Sequence, residues 1–433
     1  MQKSTEDLIV KILKSEMVRA LGCTEPIAIA YASATARRYL GGLPEKITVR
    51  CSGNIIKNAK AVTVPMTGNL KGIEAAAITG AVGGDPERKL EVLSAVTEDD
   101  LKICRDMLKR RICNVEMMDT PESLHIIVSM SDSAHEAEVE LMHTHMGITE
   151  VVLDGKTVLS HRPEESGGRL DYDCLNMDTI YEFATNTDLT ALKDTIREQI
   201  TCNEKIADEG LHHAYGSQVG KTLLEMFGDQ DIKIVAKAKP AAGSDARMNG
   251  CEMPVVINSG SGNQGMTVSL PVIEYARELK SGDEKLYRAL IISNLTAIFL
   301  KYRIGRLSAY CGAVSAAAGA GAGITYLMGG AEKQIQDSIT NTLGSISGIV
   351  CDGASSSCAA KIASSVDAAI IASYMAMEGR VFMGGEGIVK DSFQNTVDGV
   401  VEIAKDGMKA TDQVILDVMT QDDAGQKHGP GQE

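Results

Sequence analysis

Cys351 and Cys358 stand seven residues apart in "GIVCDGASSSCAAK" (348–361), among glycines, serines and alanines that leave their thiols uncrowded. Seven residues of α-helix rise about 10 Å, too far for two mid-helix thiolates to hold one small group comfortably. Asp352-Gly353 is a turn dipeptide, however, and predicts a reversal that brings Cys351 back toward a helix beginning near Ala354, with Cys358 in its first turns. A helix N-terminus favours a thiolate or an anionic cluster by roughly 0.3 to 1 kcal/mol per charge. The same spacing would equally suit two small residues packed between helices. Cys311, in "RLSAYCGAVSAAAGAGAG", repeats the pattern of a thiol followed at once by glycine at the head of a small-residue helix. Three such thiols are one short of a closed iron–sulfur cluster, and a three-ligand cluster leaves one iron open as a Lewis acid. Zinc is the competing metal. Against it, no histidine lies near these cysteines and no C-x-x-C spacing occurs among them.

Other stretches add polar groups suited to a small anionic substrate. Cys23, in "RALGCTEPIAIA", precedes a helix opened by Pro26, with Thr24 as a candidate cap; that position lowers a thiol pKa and suits a base, nucleophile or ligand, although plain packing explains it as well. "VVINSGSGNQGMTVSLPVIEYA" (255–276) runs from a strand-like segment into a Gly/Ser/Asn loop and then a helix. Such a loop offers backbone N–H groups around Gly260, Ser261 and Gly262, with Ser259, Asn263 and Gln264 adding side-chain hydrogen bonds. It lacks the lysine of a phosphate-binding loop and the glycine spacing of a dinucleotide fold, so a small carboxylate is preferred; a simple linker is the alternative. "CSGNIIKNAKAVTVPMTG" (51–68) predicts a loop between strands carrying Asn54, Lys57 and Asn58, with Lys57 either a substrate contact or a solvated charge. His143 and His145, in "LMHTHMG", share a strand face, which is weak support for a metal pair.

Positioning these groups calls for two kinds of architecture. Residues 5–14 and 26–40 carry helical spacing, the second ending at Gly41-Gly42. From 46 to 160 the segments "KITVRCS", "KAVTVP", "LHIIVSM", "EAEVELMH" and "TEVVLDGKTVLS" are short and alternating, with Asp154-Gly155 a hairpin signal and helices predicted over 72–83 and 97–111. After "HRPEESGG" the strand signal nearly vanishes, and helices are predicted over 178–200, 203–227, 266–280, 284–303, 307–328, 332–342 and 358–378. The expected class is α+β: a mixed α/β domain at 43–165, and a larger, mostly helical domain formed by 1–42 and 166–433 that bears the cluster site. Its many Ala and Gly residues, Gly319 and Gly323 among them, predict helices packed backbone to backbone, which would tolerate a homodimer. The tail "QDDAGQKHGPGQE" has a disordered composition.

With 433 residues a large buried core is available, and 44% apolar with 23% charged residues describes an ordinary globular chain. A net charge of −15 without a basic block argues against nucleic-acid partners. The N-terminal "MQKSTEDLIVKILKSEM" reads as an amphipathic helix rather than a signal peptide, which predicts a cytoplasmic protein. The uncharged stretch 307–331 is too rich in Ala, Gly and Ser to predict a membrane span. Ten scattered cysteines do not form a disulfide framework.

Taken together, "ALGCTEPIAIA", "SGNIIKNA", "SGSGNQG", "LSAYCGA" and "CDGASSSCAAK" resemble the iron–sulfur L-cysteine desulfidases, relatives of the serine dehydratase alpha-chain group, over nearly the whole chain. The resemblance implies a β-elimination without pyridoxal phosphate, on a four-iron four-sulfur cluster held by Cys311, Cys351 and Cys358. Its fourth iron would take the amino-acid substrate, and the products would be pyruvate, ammonia and sulfide. It also implies Cys23 as the proton-transfer group with Thr24 beside it, since Cys23 stands where the serine dehydratases carry an "SHT"-like motif. The "SGSGNQG" loop would seat the substrate, helped by Asn54 and Lys57. Many bacterial serine dehydratases end in a cysteine that reaches their active site; this chain ends in "GPGQE", which favours the desulfidase branch, and its 351–358 spacing is shorter than theirs, but neither difference fixes the substrate, since L-cysteine and L-serine differ only in the leaving atom. L-Serine as substrate, and a non-catalytic amino-acid or metal-binding protein, are the alternatives.

Overall fold

The computed structural model describes residues 1–161 and 170–420, so the expected boundary near 165 and the tail from 421 lie outside the described residues. The first helices are α1 (Lys3–Glu16) and α2 (Thr24–Leu40), separated by the short β1 (Arg19–Leu21). A six-stranded sheet follows, formed by β2 (Lys46–Ser52), β3 (Cys113–Met118), β4 (His125–Ser131), β5 (Glu136–Met142), β6 (Ile148–Leu153) and β7 (Lys156–Ser160). Its order is β3-β2-β4-β5-β6-β7, with β2 and β3 parallel and every other pair antiparallel. Strict alternation buries Ile47, Val49, Cys51, Ile126, Val128, Met130, Ala137, Val139 and Leu141 on one face. The Asp154-Gly155 turn has φ of 49° and 74°, the left-handed pair that a tight two-residue hairpin needs.

Between β2 and β3 lie α3 (Gly53–Ala59), α4 (Gly72–Gly83) and α5 (Glu98–Lys109). Helix α2 crosses the sheet over β4 and β5 and packs on α4, where Gly80 meets the Ala30 backbone too closely for any side chain. Thus α2 presents its N-terminus to the helical part while its body covers the sheet.

The rest is helical: α6 (Met177–Asn186), α7 (Lys193–His212), α8 (Val219–Phe227), α9 (Ile232–Met248), α10 (Gly262–Glu278), α11 (Asp283–Ile304), α12 (Gly312–Leu327), α13 (Glu332–Ile346), α14 (Ser357–Met377), α15 (Phe393–Glu402) and α16 (Lys409–Thr420). A three-residue β8 (Pro254–Val256) pairs antiparallel with β1. Helix α12 is central, contacting α10, α11, α13 and α14. Its small residues permit this, since Gly319 lies directly on the Ser293 carbonyl of α11 and Gly323 faces Ala289 of the same helix. The fold is α+β. One described helix, α14, is long and apolar enough to cross a membrane, and 50% of its most apolar window is buried inside the protein.

Three local expectations change. "SGNIIKNA" is helical, because Ile55 and Ala59 sit four apart on one buried face. "KAVTVP" forms only an isolated bridge, Thr63 to Lys71, since Pro65 lacks an N–H and Met66, Gly68 and Asn69 all adopt positive φ. Helix α9, which runs through Pro240, lies in a stretch where no helix is expected.

Candidate active site

Cys311 and Cys351 are brought together by a single antiparallel bridge between Tyr310 and Val350. Cys311 N–H donates to the Ile349 carbonyl at 3.1 Å, and Cys351 N–H to the Ala309 carbonyl at 2.7 Å. Alternation along these two extended segments puts both thiols on the face opposite the buried Tyr310 ring. The chain then reverses at Gly353, whose φ of +92° is open to glycine, and whose Cα presses on the Lys57 carbonyl where a Cβ would not fit. Cys358 is the second residue of α14, its thiol 3.6 Å from the Gly353 carbonyl. Asp352 is held across this turn by Lys361. All three thiols line one cavity of about 100 Å³. Burial, reinforced by Cys351, pushes the Cys311 thiol up to about 12, and burial also raises Cys358. Binding a metal there would therefore release protons.

Cys23 and Thr24 line the same cavity. Both donate to Glu25 Oε2, from Sγ at 3.2 Å and from Oγ1 at 3.1 Å. The helix start at α2 was expected to lower the Cys23 pKa; it is raised instead, because burial and the adjacent Glu25 carboxylate outweigh the helix dipole. Cys23 is thus a thiol that keeps its proton. Glu25 is driven the other way: burial opposes its ionisation, but His145, the Cys23 thiol and Arg247 together hold it down at about 2.

The "SGSGNQG" loop forms the next wall. Ser259 and Gly260 adopt positive φ, and Ser261 accepts the Gln264 N–H at 3.4 Å to start α10. Asn258 anchors the loop to Asn294 of α11 at 2.9 Å, and Arg247 reaches Asn263 at 3.1 Å and the Gly22 carbonyl at 3.0 Å. Ser259, Gly260, Ser261, Asn263 and Gln264 all face the cavity, where the buried Gln264 Oε1 has no hydrogen-bond partner among the described residues.

Asn54 and Lys57 do not line this cavity. Each points to the C-terminal helix, Asn54 Nδ2 donating to Asp412 at 2.9 Å and Lys57 pairing with the same carboxylate. Lys57 is not solvated: it is buried, and its ammonium also donates to the Cys351 carbonyl at 3.3 Å. Asn58, one turn on from Asn54, supplies the motif's cavity-lining side chain instead. The two histidines also separate. They lie in the β5–β6 connection, where His143 adopts φ of 65° and pairs with Glu122, while the buried His145 enters the cavity with Nε2 3.7 Å from Glu25.

Glu25, Arg247, Lys301, Arg306 and Tyr310 are cavity residues that sequence reading passed over. Glu25 is visible in "GCTEP", two residues from the thiol, and Lys301 shares the apolar run "AIFLKYRI" with one other charge, Arg303. Arg247 had no such signal because α9 was not expected. Burial lowers Lys301 to about 8, with the nearby Cys351 and Cys311 thiols opposing the shift. Among the described residues, no three His, Cys, Asp or Glu side chains converge tightly enough to grip one metal ion, so the thiols do not form a ready zinc site.

The family model of the serine dehydratase alpha chain matches residues 74–417. The chain belongs to the serine dehydratase alpha chain family. Cys311, Cys351, Cys358 and the 258–264 loop lie within the matched span, whereas Cys23, Thr24 and Glu25 precede it. Membership supports a lyase-type, dehydratase-like enzyme in a family associated with iron–sulfur serine dehydratases. Family relatives named "UPF0597 protein" occur in Lachnoclostridium phytofermentans, 59% identical over 95% of this chain and 99% of that one, and in Treponema denticola, 47% identical over 98% and 100%. A third, in Finegoldia magna, is 47% identical over 94% of this chain and 98% of its own.

Proposed function

We propose that this protein is an iron–sulfur-dependent lyase that eliminates sulfide from L-cysteine, giving pyruvate and ammonia. The observation that carries the reading is the convergence of Cys311, Cys351 and Cys358 on one cavity that also holds the Cys23–Glu25 pair. Three thiolates around one cavity would hold a multi-iron cluster with one iron left without a protein ligand. When bound, such a cluster with one unligated iron supplies a Lewis acid that polarises the substrate.

The chain's own residues do the rest. Cys23 holds a proton at Sγ, aligned by Glu25; it passes that proton to the departing sulfur and its thiolate takes the Cα proton, so the Cα–H and Cβ–S bonds break, hydrogen sulfide leaves and the thiol is regenerated. The resulting aminoacrylate leaves the site and hydrolyses to pyruvate and ammonia. Thr24 fixes the second donor on Glu25 and so keeps that carboxylate turned toward the thiol. The 258–264 loop orients the amino acid and excludes water. All ten cysteines are free, which a reducing cytoplasm would maintain.

L-Serine is the second reading, favoured by the family description. The two substrates differ in the leaving atom alone, so kcat/KM for each, measured on protein reconstituted anaerobically with iron and sulfide, decides between them. A ratio favouring L-cysteine supports the proposal; a ratio favouring L-serine replaces it.

A further inference from the structure

Among the cations near the cysteine thiols, Lys57 and Arg306 have carboxylate partners, and the buried Arg247 donates to the Gly22 carbonyl and Asn263. Lys57 pairs with Asp412, and Arg306 makes a two-pronged pair with Glu16, one contact at 3.2 Å. Lys301, from the last turn of α11, is 2% exposed and makes no hydrogen bond or ion pair among the described residues. An ammonium held out of water with no counter-ion is costly, and proteins retain one where an anion joins it. Glu25, the carboxylate that lines the thiol cavity, is already committed to Cys23, Thr24 and His145.

The position of Lys301 narrows the anion. A second cavity, of about 490 Å³, adjoins the first, and Lys301 lines both, together with His145, Ser259, Gly260 and Arg306. A charge serving bound thiolates alone needs to face the thiol cavity only. Lys301 also faces the larger space from which a ligand would come. Beside it, Ser259 and Gly260 offer the backbone of the glycine loop, so cation and N–H donors share one wall.

We propose that Lys301 receives the α-carboxylate of the amino-acid substrate, which approaches from the larger cavity. This rests on the preceding reading that the substrate is an amino acid. The carboxylate is held between the Lys301 ammonium and the 259–260 backbone, which directs the β-carbon and its sulfur toward Cys23 and the thiols. The loop alone, to which sequence reading assigned the carboxylate, is then half of the site.

The test uses Lys301→Met and Lys301→Arg, reconstituted anaerobically, with L-cysteine and L-cysteine methyl ester as paired substrates. The wild type should prefer the acid. Lys301→Met should keep its iron and lose that preference by about 10- to 100-fold, mainly through KM, with Lys301→Arg partly restoring it. An unchanged acid-to-ester ratio at full iron content overturns the proposal. So does loss of iron in both variants, which would make Lys301 a countercharge for the thiolates. Calorimetric binding of L-cysteine to iron-free wild type and Lys301→Met provides an arm independent of turnover: equal affinities overturn the assignment. A reconstituted wild type that binds L-cysteine through Lys301 but turns over neither compound refutes the lyase reading while retaining this one. Lys301→Met removes an unpaired buried charge and should melt no lower than wild type; should it fail to fold, Lys301→Gln serves in the same assays.

Discussion

Removing either end of the Lys57–Asp412 pair deletes the same ion pair, yet the two deletions should differ in cost. The Lys57 side chain is 1% exposed and that of Asp412 21%. Asp412→Asn leaves an ammonium buried with little beyond the Cys351 carbonyl at 3.3 Å to stabilise it. Breaking a buried pair in this way costs about 3 to 5 kcal/mol, which the partial exposure of Asp412 reduces to about 2 to 4. Lys57→Met places an apolar chain of similar length in the apolar space and leaves Asp412 part-solvated, still accepting from Asn54 at 2.9 Å. That change should cost about 1 kcal/mol. The double variant removes the stranded charge and should return close to Lys57→Met alone, so it is more stable than Asp412→Asn by about 1 to 3 kcal/mol. Urea unfolding of the four iron-free proteins, followed by circular dichroism with m-values compared, measures the cycle. Additive costs, or Lys57→Met as the costlier single change, would refute the reasoning. Because Lys57 also holds the Cys351 carbonyl, Lys57→Met should further weaken iron uptake.

Gly265→Ala drives a methyl group into the Val256 carbonyl and the Ile257 backbone and should lower the melting temperature sharply or abolish soluble protein, whereas Gly282→Ala, where nothing stands within 4 Å, should change little. Asp245 is fully buried with Oδ1 unpartnered among the described residues, and burial raises its carboxyl from 3.8 to about 6. Below pH 4 both folded and unfolded states hold that proton; between about pH 4 and 6 the unfolded chain ionises first, so stability falls as pH rises. Asp245→Asn should flatten that fall, as a pH series of melting curves will record. Cys311→Ala, Cys351→Ala and Cys358→Ala should each keep native circular dichroism and lose iron, while Cys23→Ala should keep iron and lose turnover.

Much of the site was legible because helix starts announce themselves. "CGA" at 311 and the small residues after 353 mark two such starts, and Asp352-Gly353 marks the turn between Cys351 and Cys358. The sequence does not display the Tyr310–Val350 bridge, which joins segments forty residues apart. His145 was read with His143 as a metal pair because alternation was assumed to continue past Met142; the positive φ of His143 breaks it and sends the two rings to different partners. Lys57 misled for a related reason. A lysine in a predicted loop suggests substrate or solvent, but the loop is α3, and a helix more than 350 residues away supplies the carboxylate that allows its burial. Strand β3 escaped notice because "CNVEMM" sits at the sheet edge, with half of its residues exposed and none buried. The Asp154-Gly155 hairpin and the alternating β4 and β5 needed no such long-range partner, and β4 and β5 match their sequence signals to within one residue at their ends.

The most direct test of the central claim is the iron content and sulfide release of the anaerobically reconstituted chain beside Cys311→Ala, with L-cysteine as substrate. The account predicts about four irons per wild-type chain, with sulfide and pyruvate formed in equal amounts, and loss of both iron and turnover in the variant. Wild-type protein that takes up no iron, or a variant that matches it in iron and sulfide, would contradict the assignment of this cavity as a cluster-bearing active site.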